Sequence, residues 1–345
     1  MWQRYLEERQ LKKRKFMNEK LKDRFKRSYN YLRLSVTDRC NYRCRYCVPS
    51  HDFQFISHDR ILSYEDMIFA VSLFSNLGIE KVRVTGGEPL VRKNIAYLIK
   101  NISEIEKIKE ITLTTNGSLL KKYANEIHDA GIKRINISLD SLRDDRYEYI
   151  TGGFKLEHII DGVMFAKKIG ISPIKINVVA IKGFNDDEII DFCNFAKEYD
   201  LNIRFIEFMP IGNKIEWKKG NIITGSEILK IISEKFQYEP LKKEMYEGPA
   251  VNYRLSNGAK IGIITPISNH FCSECDKLRL TADGKLRPCL LSDNEIDLFD
   301  EIRKRDVDGL KKKIVASLKL KSLEHNITDE ICSDDFKRTM SKIGG

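Results

Sequence analysis

The chain is 345 residues long, 42% hydrophobic, and has a formal net charge of +10. That length supports one large domain, or a large one with a small appendage, around a substantial core. No apolar run reaches the roughly 18 residues that cross a bilayer and the N-terminus is charged throughout, so a membrane-spanning protein is excluded and a cytoplasmic one expected.

The first 20 residues form a basic arm. Residues 1–30 hold eleven Lys or Arg against four Asp or Glu, so most of the surplus charge lies there. Leu6-Glu7-Glu8-Arg9 and Lys15-Phe16-Met17-Asn18-Glu19-Lys20 mix the two signs, which favours a solvated, charge-laced helix over a nucleic-acid interface. From Tyr31 onward a unit of strand, loop and amphipathic helix repeats. Strands are expected at 31–36, 81–85, 110–114, 134–139, 174–180 and 202–208, and helices near 64–77, 92–106, 119–130, 156–169 and 187–199. Ser63 and Asn185 stand where an N-cap oxygen would accept from first-turn amides. Gly78, Gly131 and Gly170 stand where helices end. After Phe208 the pattern loosens into loop, a helix at 226–235, and short strands at 253–256 and 260–264.

Strands alternating with crossover helices imply a parallel sheet. Strands buried on both faces read as unbroken apolar runs, and these alternate. Leu32, Leu34, Val82 and Val84 lie on one face. Arg33, Lys81, Arg83, Thr112, Thr114, Asn136, Ser138, Lys175, Asn177, Asn202 and Arg204 lie on the other. Helices would cover both faces of an open sheet, so a polar face on every strand predicts a curved sheet with a wet interior. The fold class is therefore α/β, a partial (β/α)6 TIM-type barrel over 21–245 with a C-terminal extension over 246–345. Five buried cations need anions to balance them. A nucleoside triphosphate would do so; salt bridges to Glu88, Asp140 and Glu207 are the alternative.

Chemistry in such barrels sits at the C-terminal ends of the strands. There lie Cys40, Cys44 and Cys47 after the first strand, Thr85-Gly86-Gly87-Glu88-Pro89 after the second, Thr115-Asn116-Gly117 after the third and Ser138-Leu139-Asp140 after the fourth. A Gly-Gly pair permits close approach of a ligand to the backbone. Three thiols so closely spaced read as ligands of a four-iron cluster, which normally takes four, leaving one iron open; an incomplete zinc knuckle is the alternative. Cys272, Cys275 and Cys289 form a second set of three, again one short of a closed cluster; a tetrathiolate zinc site completed by Cys332 is the alternative. Cys193 and Cys332 otherwise read as small buried hydrophobes. Eight cysteines, six of them in these clusters, suit metal binding in a reducing compartment better than a disulfide framework.

The first thiol set, Gly86-Gly87-Glu88-Pro89 and Ser138-Leu139-Asp140 resemble the radical S-adenosylmethionine superfamily. The second thiol set, Arg33-Leu34-Ser35-Val36-Thr37-Asp38-Arg39-Cys40, the cationic strand positions and the terminal Gly344-Gly345 narrow the resemblance to the GTP 3',8-cyclase family. These are lyases that open molybdenum cofactor biosynthesis, and the likeness runs from about Leu21 to Gly345. It implies two 4Fe-4S clusters, on Cys40, Cys44, Cys47 and on Cys272, Cys275, Cys289, with S-adenosylmethionine lined by Tyr46, Gly87, Ser138 and Met209. It implies that a 5'-deoxyadenosyl radical takes H3' from GTP, giving 3',8-cyclo-7,8-dihydro-GTP without a side-chain general base. The second cluster's open iron would bind guanine. Arg33, Lys81, Arg83, Thr114, Lys175, Arg204, Lys277, Leu278 and Arg279 would contact GTP, and the Gly-Gly tail would reach into the active site. The resemblance further implies a flavodoxin or ferredoxin as electron donor, a homodimer, and transfer of product to cyclic pyranopterin monophosphate synthase, with no membrane or nucleic-acid partner.

Two positions depart from the family pattern: Lys277 stands where Arg is usual, and Val48-Pro49 replaces Met-Pro. The competing readings are a radical peptide-modifying enzyme and a nucleic-acid-binding protein with two zinc knuckles.

Overall fold

The computed structural model describes residues 20–47, 54–209, 211, 219–243, 248–325 and 336–344. The basic arm up to residue 19, Val48-Pro49, Cys332 and Gly345 lie outside the described residues. No helix among those described is long and apolar enough to cross a membrane.

Six strands follow the expected alternation: β1 (Tyr31–Ser35), β2 (Lys81–Thr85), β3 (Glu110–Thr115), β4 (Ile135–Ser138), β5 (Ile174–Ala180) and β6 (Asn202–Glu207). Each pairs in parallel with the next. Their helices are α1 (Tyr64–Asn76), α2 (Ile95–Ser103), α3 (Leu120–Asp129), α4 (Asp144–Thr151), α5 (Leu156–Lys168) and α6 (Ile189–Glu198). The helix α4 has no counterpart in the sequence reading. Beyond α7 (Gly225–Ser233) come β7 (Tyr238–Pro240), β8 (Val251–Leu255), β9 (Lys260–Ile264), β10 (Lys277–Leu280), β11 (Lys285–Arg287) and β12 (Ile296–Asp297), then α8 (Phe299–Arg303), α9 (Val307–Lys319) and α10 (Met340–Ile343).

All twelve strands join one sheet in the order β12-β11-β10-β1-β2-β3-β4-β5-β6-β9-β8-β7. Because β9 runs parallel to β6 and β10 parallel to β1, the C-terminal region lengthens the barrel sheet at both edges, which brings its residues beside the first strand.

Alternation along the strands places the core as expected. Leu32, Leu34, Val82, Val84, Leu113, Ile137, Ile176 and Phe205 belong to one buried cluster with helix residues such as Leu73, Leu98, Ile127, Val163 and Phe192. Fully burying each such side chain is worth roughly 1.5–3 kcal/mol.

Ser63 caps α1 as expected. Its hydroxyl accepts from the Asp66 amide at 3.1 Å while the Asp66 carboxylate accepts from the Ser63 amide at 3.2 Å, a reciprocal capping box. Asp66 also pairs with Arg303 at 2.9 Å and Arg305 at 3.0 Å, tying α1 to the end of α8. Burial raises the Asp66 pKa, but Arg303 and the Ser63 groups outweigh it and hold the carboxyl below its ordinary value. A depressed acid stabilises the fold above its unfolded pKa, and that gain is lost as pH falls through the folded value. Asp66→Ala should therefore cost about 1–2 kcal/mol at pH 7, shrinking below pH 4, as measured by denaturant unfolding across that range.

Asn185 stands at the N-cap position of the turn Asp186–Glu188 that leads into α6, but its side chain makes no capping bond there. Its Oδ1 accepts from the Ile181 amide at 2.8 Å, and its Nδ2 donates to the carbonyls of Asp140 at 2.6 Å and Val179 at 2.9 Å. A side chain that can bond three backbone groups at once braces the loop after β4, and α6 begins after a short turn at Asp186–Glu188.

Candidate active site

The first thiol loop leaves β1 and is held from outside by the helix the sequence reading missed. The Arg43 and Arg45 amides donate to the carbonyls of Thr151 and Ile150 at the end of α4. Tyr42 stacks on Phe154 with centroids 4.0 Å apart, and its hydroxyl meets that of Tyr147 at 3.2 Å. Cys40, Cys44 and Cys47 are free, partly buried thiols. The Cys40 sulfur accepts from the Tyr42 amide at 3.3 Å and from Asn116 Nδ2 at 3.7 Å. Burial, with Glu88 nearby, pushes Cys40 up to about 11. Burial, with Cys40 nearby, pushes Cys47 up to about 12. Cys44 is raised by burial and then by Cys47, Asp140 and Cys40. Cys44 and Cys47 thus each feel a neighbouring thiol, and a metal centre bound here would displace the protons of all three. Among the described residues, no three His, Cys, Asp or Glu side chains gather as they would around a single ion; a four-iron cluster takes its thiolates at separate irons.

The glycine pair after β2 lets the backbone of the thiol loop approach closely. A Cβ on Gly87 would stand 2.3 Å from the Arg39 carbonyl oxygen, and one on Gly86 2.5 Å from that of Thr37. Without side chains the loop hydrogen-bonds to the thiol loop, Gly87 N to Thr37 O at 2.7 Å and Glu88 N to Arg39 O at 2.8 Å. The pair fastens the cysteine loop to the second strand.

The three carboxylates offered as counterions bond elsewhere. Glu88 accepts from the Leu90 amide at 3.0 Å, the Thr115 hydroxyl at 2.8 Å and the Asn116 amide at 2.6 Å, while burial pushes it up to about 7. Asp140 accepts from the Tyr46 hydroxyl at 2.7 Å and the Val179 amide at 2.8 Å, and burial pushes it up to about 6. Glu207 takes the amides of Gly225, Ile267 and Ser268 and the Ser268 hydroxyl. Each joins loops at the strand ends. An unexpected carboxylate, Glu110, pairs with Lys81 at 2.8 Å and also with Arg134, so Lys81 already has a counterion at the opposite rim.

Register turns the remaining cations into rows. Lys277, Tyr31 and Lys81 are neighbours across β10, β1 and β2, and Arg279, Arg33 and Arg83 form the next row. Arg83 donates to the Thr114 hydroxyl at 3.3 Å. Across the barrel, Lys175 is opposite Asn136, and Arg204 opposite Asn177; Lys175 and Arg204 are buried. Arg83 Nε, Thr112 Oγ1 and Asn177 Oδ1, all on the inward face, are buried without a hydrogen-bond partner among the described residues, a state natural proteins rarely leave unmatched. Leu278 departs from expectation: paired with Leu32, it is fully buried in the helix-facing core. Its side chain therefore cannot contact a ligand inside the barrel.

Tyr31, which the sequence reading passed over, stands among these cations. Lys81 and Lys277 lie 4.7 and 5.4 Å from its ring centroid and Arg83 lies 5.8 Å away. Burial raises its pKa, but Arg83, Arg33, Lys81 and Lys277 together outweigh that and bring the phenol down to about 8. A depressed acid stabilises the fold fully above its unfolded pKa, near 10, and loses that contribution as pH falls through 8. The stability difference between the parent and Tyr31→Phe should thus grow by up to about 3 kcal/mol between pH 7 and pH 10. Urea unfolding of the reduced proteins measures it, and a flat difference would contradict the cation cage.

The second thiol set lies beside the first strand because β10 pairs with β1. Cys272–Glu274 forms a tight turn, with the Cys275 amide on the Cys272 carbonyl at 3.2 Å. Arg27, gripped by Asp23 at 2.6 Å, donates to the carbonyls of Cys272 at 2.7 Å, Leu323 at 3.0 Å and Ser322 at 2.7 Å. Burial raises Cys272, with Cys289 and Cys275 adding to it. Cys275 is lowered, because Lys321 and Lys277 outweigh its burial.

The C-terminal segment runs between these sets. The Ser341 backbone hydrogen-bonds Cys47. Ile343 packs with Ile211, Phe336 and Met209, and the Gly344 carbonyl accepts from Arg33 at 3.0 Å, Arg279 at 3.3 Å and Thr85 at 3.3 Å. Met209, Tyr46 and the Cys40–Cys47 loop thus gather at one end of the barrel.

Comparison with known proteins agrees with this architecture. A radical SAM superfamily model matches residues 34–196 and a molybdenum cofactor synthesis C model matches 201–327. A GTP 3',8-cyclase of Syntrophomonas wolfei is 43% identical over 94% of this chain and 99% of its own length. One of Moorella thermoacetica is 44% identical over 94% and 100%. Among solved structures, SuiB of Streptococcus suis bound to its precursor peptide SuiA aligns over 97% of this chain and 78% of its own, with a TM-score of 0.62 at 15% identity. The same protein bound to S-adenosylmethionine aligns over 79% and 64% with a TM-score of 0.58 at 15% identity. These two are likenesses of fold.

Proposed function

This chain belongs to the GTP 3',8-cyclase family of radical S-adenosylmethionine enzymes, and on that premise we propose that it converts GTP to 3',8-cyclo-7,8-dihydro-GTP in the first step of molybdenum cofactor biosynthesis. The family implies a 4Fe-4S cluster and S-adenosylmethionine. Cys40, Cys44 and Cys47 fit the cluster as soft donors on one braced loop. Cys272, Cys275 and Cys289 would hold a second, where the buried Lys321 ammonium faces the Cys275 sulfur at 3.2 Å, a setting that suits a thiolate. When bound, the first cluster and S-adenosylmethionine would supply the one-electron radical chemistry directed at the ribose C3'–H of GTP.

The protein's own work is holding and exclusion. Tyr46, Gly87, Ser138 and Met209 would line S-adenosylmethionine, with Tyr46 oriented by Asp140. Arg33, Arg83, Lys175, Arg204 and Arg279 would take the triphosphate and base, with Thr114 steadying Arg83. Lys81, already paired to Glu110, would act at longer range, as would Lys277 in the same row. The single observation that carries the reading is the inward face of buried cations and unsatisfied polar atoms, which a polyanionic nucleotide would complete. An exchangeable flavodoxin or ferredoxin donor, a homodimer and transfer of product to cyclic pyranopterin monophosphate synthase complete the proposal. Anaerobic incubation of the reconstituted protein with GTP, S-adenosylmethionine and dithionite should yield 5'-deoxyadenosine and the cyclised nucleotide by mass analysis. Deoxyadenosine without a GTP-derived product would reject the substrate assignment.

A further inference from the structure

Lys321 follows α9 and is 3% exposed. An ammonium has three donors and no acceptor, and here each direction is accounted for. Nζ lies 3.2 Å from the Cys275 sulfur, 3.0 Å from the Lys277 carbonyl oxygen and 4.7 Å from the centroid of the Tyr29 ring. The Tyr29 hydroxyl donates to Asp23, whose charge is taken by Arg27. Among the described residues no carboxylate forms an ion pair with Lys321. A buried cation without an anion is costly, and the Cys275 sulfur is the soft acceptor that faces it.

We propose that Lys321 is a positioning residue for the second iron-sulfur centre, its N–H···S bond to Cys275 fixing that ligand and raising the centre's reduction potential. This rests on the reading that Cys272, Cys275 and Cys289 bind a cluster. Adding one electron to the centre adds one negative charge, which a fixed ammonium beside a ligand sulfur favours; hydrogen bonds to cluster sulfurs and local charge are the protein's means of setting such potentials. The same ammonium grips the backbone at Lys277, on the strand that carries Arg279 into the barrel, so ligand and cationic row share one anchor.

The test uses the full chain with Cys40, Cys44 and Cys47 replaced by Ser, so that only the second centre assembles, reconstituted anaerobically with iron and sulfide. Iron per chain and a dithionite titration followed by electron paramagnetic resonance are compared for this parent, Lys321→Met and Lys321→Arg. The Met variant should titrate at a more negative potential. The reduced-to-oxidised ratio at the parent's midpoint should fall about tenfold, or 59 mV for one electron, while the Arg variant, which keeps the charge, stays near the parent. Iron lost from Met but kept by Arg would also support the ammonium contact as what holds the Cys275 ligand in place. A Met variant titrating with the parent, or equal iron loss from both variants, would overturn the role of the charge. A parent that binds no iron would instead overturn the second centre itself.

Discussion

Cys44→Ser should reduce 5'-deoxyadenosine formation to background, whereas Cys289→Ser should keep S-adenosylmethionine cleavage and lose cyclised product. The two thiols stand on separate supports. Cys44 is coupled to Cys40 and Cys47 on a loop fastened to α4 and to the second strand. Cys289 is coupled to Cys272 on a turn held by Arg27. Serine is a hard, weakly acidic ligand that a four-iron cluster does not take in place of thiolate at comparable affinity. On the proposed reading, loss at the first set would remove the iron at which S-adenosylmethionine is reduced, and loss at the second would leave that reduction possible but release the base. Iron per chain should fall by about half in both variants, from roughly eight to four for two cubane clusters. Full cleavage activity in Cys44→Ser would reverse the assignment of the two sets.

The sheet was legible because its evidence is local. Two-residue alternation marks which side of β1 to β6 meets the helices, and Gly78, Gly131 and Gly170, all at positive φ, close helices as their positions suggested. What stayed hidden depends on partners distant in sequence. The β10 segment is four residues of alternating Lys, Leu, Arg and Leu, and it becomes a barrel strand only by pairing with β1 some 245 residues earlier. The helix α4 buries only Tyr147, Ile150 and Thr151, too thin an apolar stripe to announce itself. Glu88, Asp140 and Glu207 looked like counterions because charge is visible in a sequence, while the backbone amides that bind them are not. Lys321 has no mark that separates it from Lys319 two positions earlier; only the fold turns one of them toward a sulfur.

Arg204→Ala should weaken GTP binding by about 2–5 kcal/mol, roughly 30-fold to several thousandfold, the range for removing one partner of a buried charged contact. The position is built around this side chain. Arg204 is 4% exposed and lies opposite Gly262 on β9. A Cβ on Gly262 would stand 3.3 Å from Arg204 Cγ and 2.8 Å from Asn252 Oδ1, so the glycine leaves room for the arginine stem to run along the sheet. Removing the guanidinium would leave Lys175 beside it and the opposite row of Arg279, Arg33 and Arg83 to hold the triphosphate, with weaker binding and poorer alignment. Arg204→Lys should recover part of the affinity and less of the turnover, since a point charge does not reproduce a bidentate contact. Equilibrium binding of GTP to reconstituted protein, with iron content as the check on folding, measures both. An Arg204→Ala variant that keeps its iron and binds GTP as tightly as the parent would mean that the triphosphate does not lie within the barrel.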